Sequence, residues 1–70
     1  MGPVRLGELG EGLLFRTRLT GRNGMVMGFA VRREEPEVLV EWTDSQQLRY
    51  LHPGVLVDPT PSVLVRRAAS

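Results

Sequence analysis

Residues 24–31, GMVMGFAV, decide how this chain folds. Apolar residues recur there with a period of two, the mark of a strand. Met25, Met27, Phe29 and Val31 fall on one face, Val26 and Ala30 on the other, with Gly28 between them. Both faces are apolar. A strand in a single-layer sheet turns one face to the core and the other to water, so something must cover the second face. Gly28 removes a side chain at mid-strand, which points to a bulge, a sharp bend or a close backbone approach.

Upstream, LLFRTRL (residues 13–19) alternates Leu13, Phe15, Thr17 and Leu19 against Leu14, Arg16 and Arg18, the pattern of a half-buried strand. TGRNG (20–24) then joins it to GMVMGFAV. An Asn-Gly pair tolerates the positive φ of a tight hairpin, so the reversal is predicted at Asn23-Gly24. A phosphate-cradling loop needs a helix opening behind it, and a strand follows instead.

Downstream, RREEPE (32–37) is a charged turn in which Pro36 is expected to stop the ladder. EVLVEW follows as a third strand, with Val38, Val40 and Trp42 inward and Leu39 and Glu41 outward. TDSQQ is a polar turn and LRYL a fourth strand, on which Leu48 and Tyr50 share a face. HPG makes a tight turn into a brief last strand at residues 55–57, and a lone histidine before proline reads as a turn residue with a backbone hydrogen bond. Residues 1–12 carry four glycines and read as an irregular lead-in with one turn at residues 6–9. No window carries a helical i, i+3, i+4, i+7 stripe. The organisation predicted is a lead-in over 1–12, a small β-barrel over 13–57 and a tail or added strand over 58–70. Val63, Leu64 and Val65 in that tail are poor residues to leave in water, and they are the nearest candidate to cover the second face of GMVMGFAV.

The chain has 70 residues and no cysteine. A domain of this size buries only about 60% of its unfolded surface, and no disulfide or thiolate–metal staple is available. Added stability must come from an idealised core or from association with a partner. The single histidine has no second ligand at metal spacing, so no metal or other cofactor is expected. No stretch reaches the ~20 apolar residues of a membrane span, and the first twelve residues hold no apolar run of the signal-peptide kind. A cytoplasmic protein is the expectation.

The net charge of +1 hides a separation. Residues 13–33 hold Arg16, Arg18, Arg22, Arg32 and Arg33 and no acid; residues 34–58 hold six acids against Arg49 alone. Neighbouring antiparallel strands can pair these charges across the sheet. The alternative is a two-signed surface that grips a polyanion or docks head to tail on a copy of itself. All nine basic residues are arginine, as codon bias in a GC-rich genome would give, or selection for bidentate contacts.

Strand, Gly-containing turn, apolar strand, charged turn, VLVEWTD and a turn into a short last strand resemble the order of a Src-homology-3-like small barrel. LTGRNGMVMGF is similar to the KOW motif of ribosomal proteins and transcription factors, and VLVEWTDSQQLRYLHPGVLV is similar to Tudor-like bacterial barrels; small bacterial and phage assembly modules share the pattern. The resemblance covers about residues 13–57 and implies an all-β, five-stranded barrel. KOW modules that bind RNA are usually rich in lysine, which is absent here. A methyl-reading cage needs several aromatics, and the chain has only Phe15, Phe29, Trp42 and Tyr50, with Trp42 on the inward side.

Two functions follow from these residues. The first is non-catalytic protein association, with a copy of itself or another protein, through Met25, Met27, Phe29, Val31, Leu39, Val63, Leu64 and Val65; methionines pack adaptably at interfaces. The alternative is nucleic-acid binding through Arg16, Arg18, Arg22, Arg32 and Arg33, with Tyr50 as a stacking surface. Catalysis has no support: no base is placed by the sequence to activate Ser45 or Ser62, and Glu34-Glu35 reads as a turn charge run. No small-molecule substrate is implied.

Overall fold

In the computed structural model, residues 2–60 are described. They form one antiparallel sheet of six strands: β1 (Val4–Arg5), β2 (Leu14–Thr17), β3 (Asn23–Arg32), β4 (Glu35–Trp42), β5 (Leu48–Leu51) and β6 (Leu56–Thr60). A single 3₁₀ turn, Leu6–Glu8, follows β1, and no α-helix occurs among the described residues. No helix there is long and apolar enough to cross a membrane. The strand order is β1-β6-β2-β3-β4-β5. β2 to β5 form a meander, and β6 returns to pair with β2. The sheet is open, with β1 and β5 as its two edges, so the expected five-stranded barrel is not closed. The lead-in, expected to be irregular, supplies a sixth strand, β1, by pairing Val4 and Arg5 with Val57 and Leu56.

One face of the sheet curves over the core. Phe15, Val26, Val38, Val40 and Val57 are fully or almost fully buried, joined by Trp42 and by Leu6 and Leu9 from the lead-in. The inward reading of Val38, Val40 and Trp42 holds because β4 is regular and alternates without interruption. Phe15 meets Trp42 edge to face, with ring centroids 6.3 Å apart. The expected turn at residues 6–9 is present, and it contributes to the core: Leu6 N–H donates to the Val55 carbonyl and Gly7 N–H to that of Pro53. His52 holds the turn between β5 and β6, its Nδ1 accepting the Gly54 N–H at 2.8 Å.

Several local expectations are corrected. The first hairpin reverses at residues 18–20, not at Asn23-Gly24, and Gly21 (φ +68°) supplies the left-handed residue. Asn23 and Gly24 already lie in β3, opposite Arg16 and Phe15. Gly24 is needed for another reason: a Cβ there would sit 2.7 Å from the Phe15 ring. Leu19, expected on the inward face of β2, lies in this turn and is fully exposed.

Pro36 does not stop the ladder; it pairs with Val31, and pairing continues to Arg32 and Glu35. β5 ends at Leu51, opposite Val38, so Pro36 sits where β4 has no neighbour on its other side and a missing N–H costs nothing there. The turn is made by Arg33 and Glu34, both at positive φ (55° and 67°). The last strand runs three residues further than expected, through Pro59 to Thr60.

The largest correction concerns GMVMGFAV. The register slips between Val26 and Gly28, a β-bulge at Met27. The bulge that Gly28 suggested is present, and it reorders the faces. Before it, Val26 pairs with buried Val40, and Met25 with outward Glu41. After it, Gly28 pairs with outward Leu39, while Phe29 and Val31 stand on the face of Val38. Met25, Met27, Phe29 and Val31 therefore do not share one face.

Candidate association edge and arginine-rimmed groove

β3 is much longer than the strand beside it. β2 pairs with it only from Asn23 to Met25, and the lead-in adds backbone bonds to Val26. Among the described residues, nothing pairs with residues 27–32 on the side away from β4. At about 3.3 Å per residue that is a free edge of roughly 20 Å. Its side chains are unusually greasy for an edge: Met27, Phe29 (52% exposed) and Val31 (74% exposed) all meet solvent. Unpaired backbone flanked by apolar side chains is a template for another strand.

The remaining association candidates divide. Met25 and Leu39 lie half-buried on the outward face, in the rows that continue to exposed Leu48 and Tyr50 of β5. Val63, Leu64 and Val65 lie outside the described residues.

The arginines do not gather into one surface. Arg16, Arg18 and Arg22 sit at one end of β3, and Arg32 and Arg33 at the other, with most of the ten-residue strand between them. Most are engaged. Arg16 Nε donates to the Gly21 carbonyl at 3.2 Å. Arg18 pairs with Asp58 at 3.0 Å, Arg22 with Asp44 at 3.1 Å and Arg32 with Glu37 at 3.4 Å. Each of these three ion pairs joins the cationic stretch 13–33 to the anionic stretch 34–58, so the charge separation along the chain is in part paired off in space. Arg32 also lies over the Tyr50 ring, 4.2 Å from its centroid, and occupies the surface on which a base would stack.

A groove of about 760 Å³ opens at the end of the sheet where β2 finishes and β3 begins. Leu19, Leu51, Val55, Leu56 and Trp42 give it apolar walls; Arg18, Arg22 and Arg49 stand at it as cations. Trp42 is the most buried of its lining residues: it is 7% exposed, and its indole N–H is buried with no hydrogen-bond partner. Arg22 lies over its ring, 4.5 Å from the centroid. Asp44 fixes Arg22 there by a two-point contact, and Ser45 adds a third. The hydrogen bond from Arg22 holds the Asp44 carboxyl below its ordinary pKa.

Arg49 differs from its neighbours. Opposite buried Val40, it stands on the core-side face of an edge strand, and among the described residues it has no ion-pair partner. The groove is not anticipated by the sequence as a site, because four separate elements build it. One signal is available there, since Arg49 is the lone cation of the acidic stretch.

Comparison with protein families, with curated proteins and with solved structures finds no match for this chain.

Proposed function

We propose that the chain is a non-catalytic assembly module, a small barrel of the Src-homology-3-like type that joins copies of itself along the free edge of β3. The barrel reading is supported by the meander β2 to β5 and the return of β6 to β2, which bring the first and last of the five expected strands side by side. The observation that carries the association reading is the unpaired stretch 27–32, with Met27, Phe29 and Val31 exposed along it. An edge offered to an identical edge under a two-fold axis is self-complementary, so antiparallel pairing of two β3 strands forms a closed dimer. It also gives a 70-residue chain the additional buried surface that its size calls for. Nucleic-acid binding has less behind it, because the arginines are split between two ends and mostly occupied by carboxylates.

Sedimentation or light scattering at micromolar concentration tests the reading. The wild-type chain is expected to have twice its monomer mass, and Met27→Glu, which places a carboxylate on the edge, to be a monomer with an unchanged circular dichroism spectrum. Val31→Glu serves as the second variant if Met27→Glu does not fold. A wild-type chain that stays monomeric at all concentrations overturns it.

A further inference from the structure

The groove lies at the opposite end of β3 from the association edge, so its occupant is a separate matter. Its walls are apolar and, at Leu19 and Leu56, largely bare: these side chains are fully and 51% exposed. A volume of about 760 Å³ is within the usual range of a ligand site. Its charge has one sign. Arg18 and Arg22 are partly neutralised by Asp58 and Asp44, whereas Arg49 has no neutralising partner among the described residues. β5, which contributes Arg49 and Leu51, is an edge strand, and such a strand presents unpaired backbone donors and acceptors.

We propose that this groove binds an extended segment of a partner protein in which apolar side chains alternate with aspartate or glutamate. The apolar side chains seat against Leu19, Leu51, Val55 and Leu56, and one carboxylate pairs with the guanidinium of Arg49 in a two-point contact. A segment of alternating side chains presents one kind to the walls and the other to the rim.

A nucleic acid fits this site less well. Trp42 is covered by Arg22, 4.5 Å from its ring centroid, and offers no open ring for a base to stack on. The chain's own C-terminal segment, SVLVRRAAS, is apolar but cationic, and so has the wrong sign for Arg49.

The test uses three synthetic probes on the full chain: a decapeptide alternating leucine or valine with glutamate, the same peptide with lysine for glutamate, and a ten-residue oligothymidylate. Binding is followed by the fluorescence of Trp42, the only tryptophan, and by backbone amide shifts. The acidic peptide is expected to saturate, to weaken with salt, and to move amides around Leu19, Arg49 and Leu56. Arg49→Glu, at a surface position, is expected to keep its fold, to lose about tenfold in affinity for the acidic peptide and to gain affinity for the lysine peptide. Met27→Glu is expected to bind the acidic peptide as the wild type does, which separates this site from the association edge. Equal binding of both peptides, no saturable binding, shifts confined to other regions, or tighter binding of the oligothymidylate each overturns the proposal.

Discussion

The hairpin of β3 and β4 carries apolar residues along its whole length, yet its two halves behave as different materials. In the near half, Gly24, Val26, Val40 and Trp42 lie under Phe15 and are buried. In the far half, Phe29 and Val31 stand on the same side of the sheet as Val38 and are exposed. Residue type does not explain the contrast; neighbours do. β2 and the lead-in flank β3 only as far as Val26, and β5 flanks β4 only as far as Val38. Beyond these points no further strand pairs with the hairpin among the described residues, and it projects as an arm touched by side chains such as Tyr50, under Arg32. Burial follows from what lies across a strand, and the sequence of the strand itself records only half of that relation.

The sharpest way to break this contrast is to truncate one phenylalanine in each half. Phe15→Ala removes a fully buried ring and is expected to cost about 3–5 kcal/mol, enough to unfold a domain of this size, as read by urea denaturation. Phe29→Ala is expected to change monomer stability by no more than about 0.5 kcal/mol, its effect falling on association instead. Comparable losses from both would mean that the arm belongs to the core.

The glycines sharpen the same division. Gly24→Ala drives a methyl against the Phe15 ring and is expected to destabilise by about 1–3 kcal/mol. At Gly28 the nearest atom to an added methyl is a Glu11 carboxylate oxygen at 3.9 Å, an ordinary contact, so Gly28→Ala is expected to stay within about 0.5 kcal/mol of wild type. Thermal unfolding of the pair reads the difference.

An effect of the opposite sign is expected at the tip. Arg33 and Glu34 hold the positive φ values of a two-residue hairpin turn without being glycine or asparagine. The double substitution Arg33→Asn with Glu34→Gly is expected to stabilise the chain by about 1 kcal/mol in urea denaturation, by relieving that strain. A loss of stability would place a compensating contact at the tip that the geometry does not contain.

How much of this is legible in the sequence depends on how local each cause is. The faces of β4 can be read from its residues, because regular alternation on an unbroken strand needs no knowledge of its neighbours. Gly28 signals the bulge, but one extra residue inverts every later side chain, so an uninterrupted period of two misplaces Phe29 and Val31. Asn23-Gly24 carries the signature of a turn, yet Gly24 answers to the Phe15 ring rather than to a backbone angle. The three ion pairs between the basic and acidic stretches follow from the charge pattern. The groove does not, since Leu19, Trp42, Arg49 and Leu56 come together only through the fold.

The account rests on the free edge of β3, and amide hydrogen exchange of residues 27–32 tests it most directly. Comparing exchange at low and high micromolar concentration, it predicts that these amides slow as the protein is concentrated while those of buried Val38 and Val40 do not change, and that Met27→Glu abolishes the slowing. Exchange at residues 27–32 that is fast and identical at every concentration would contradict it.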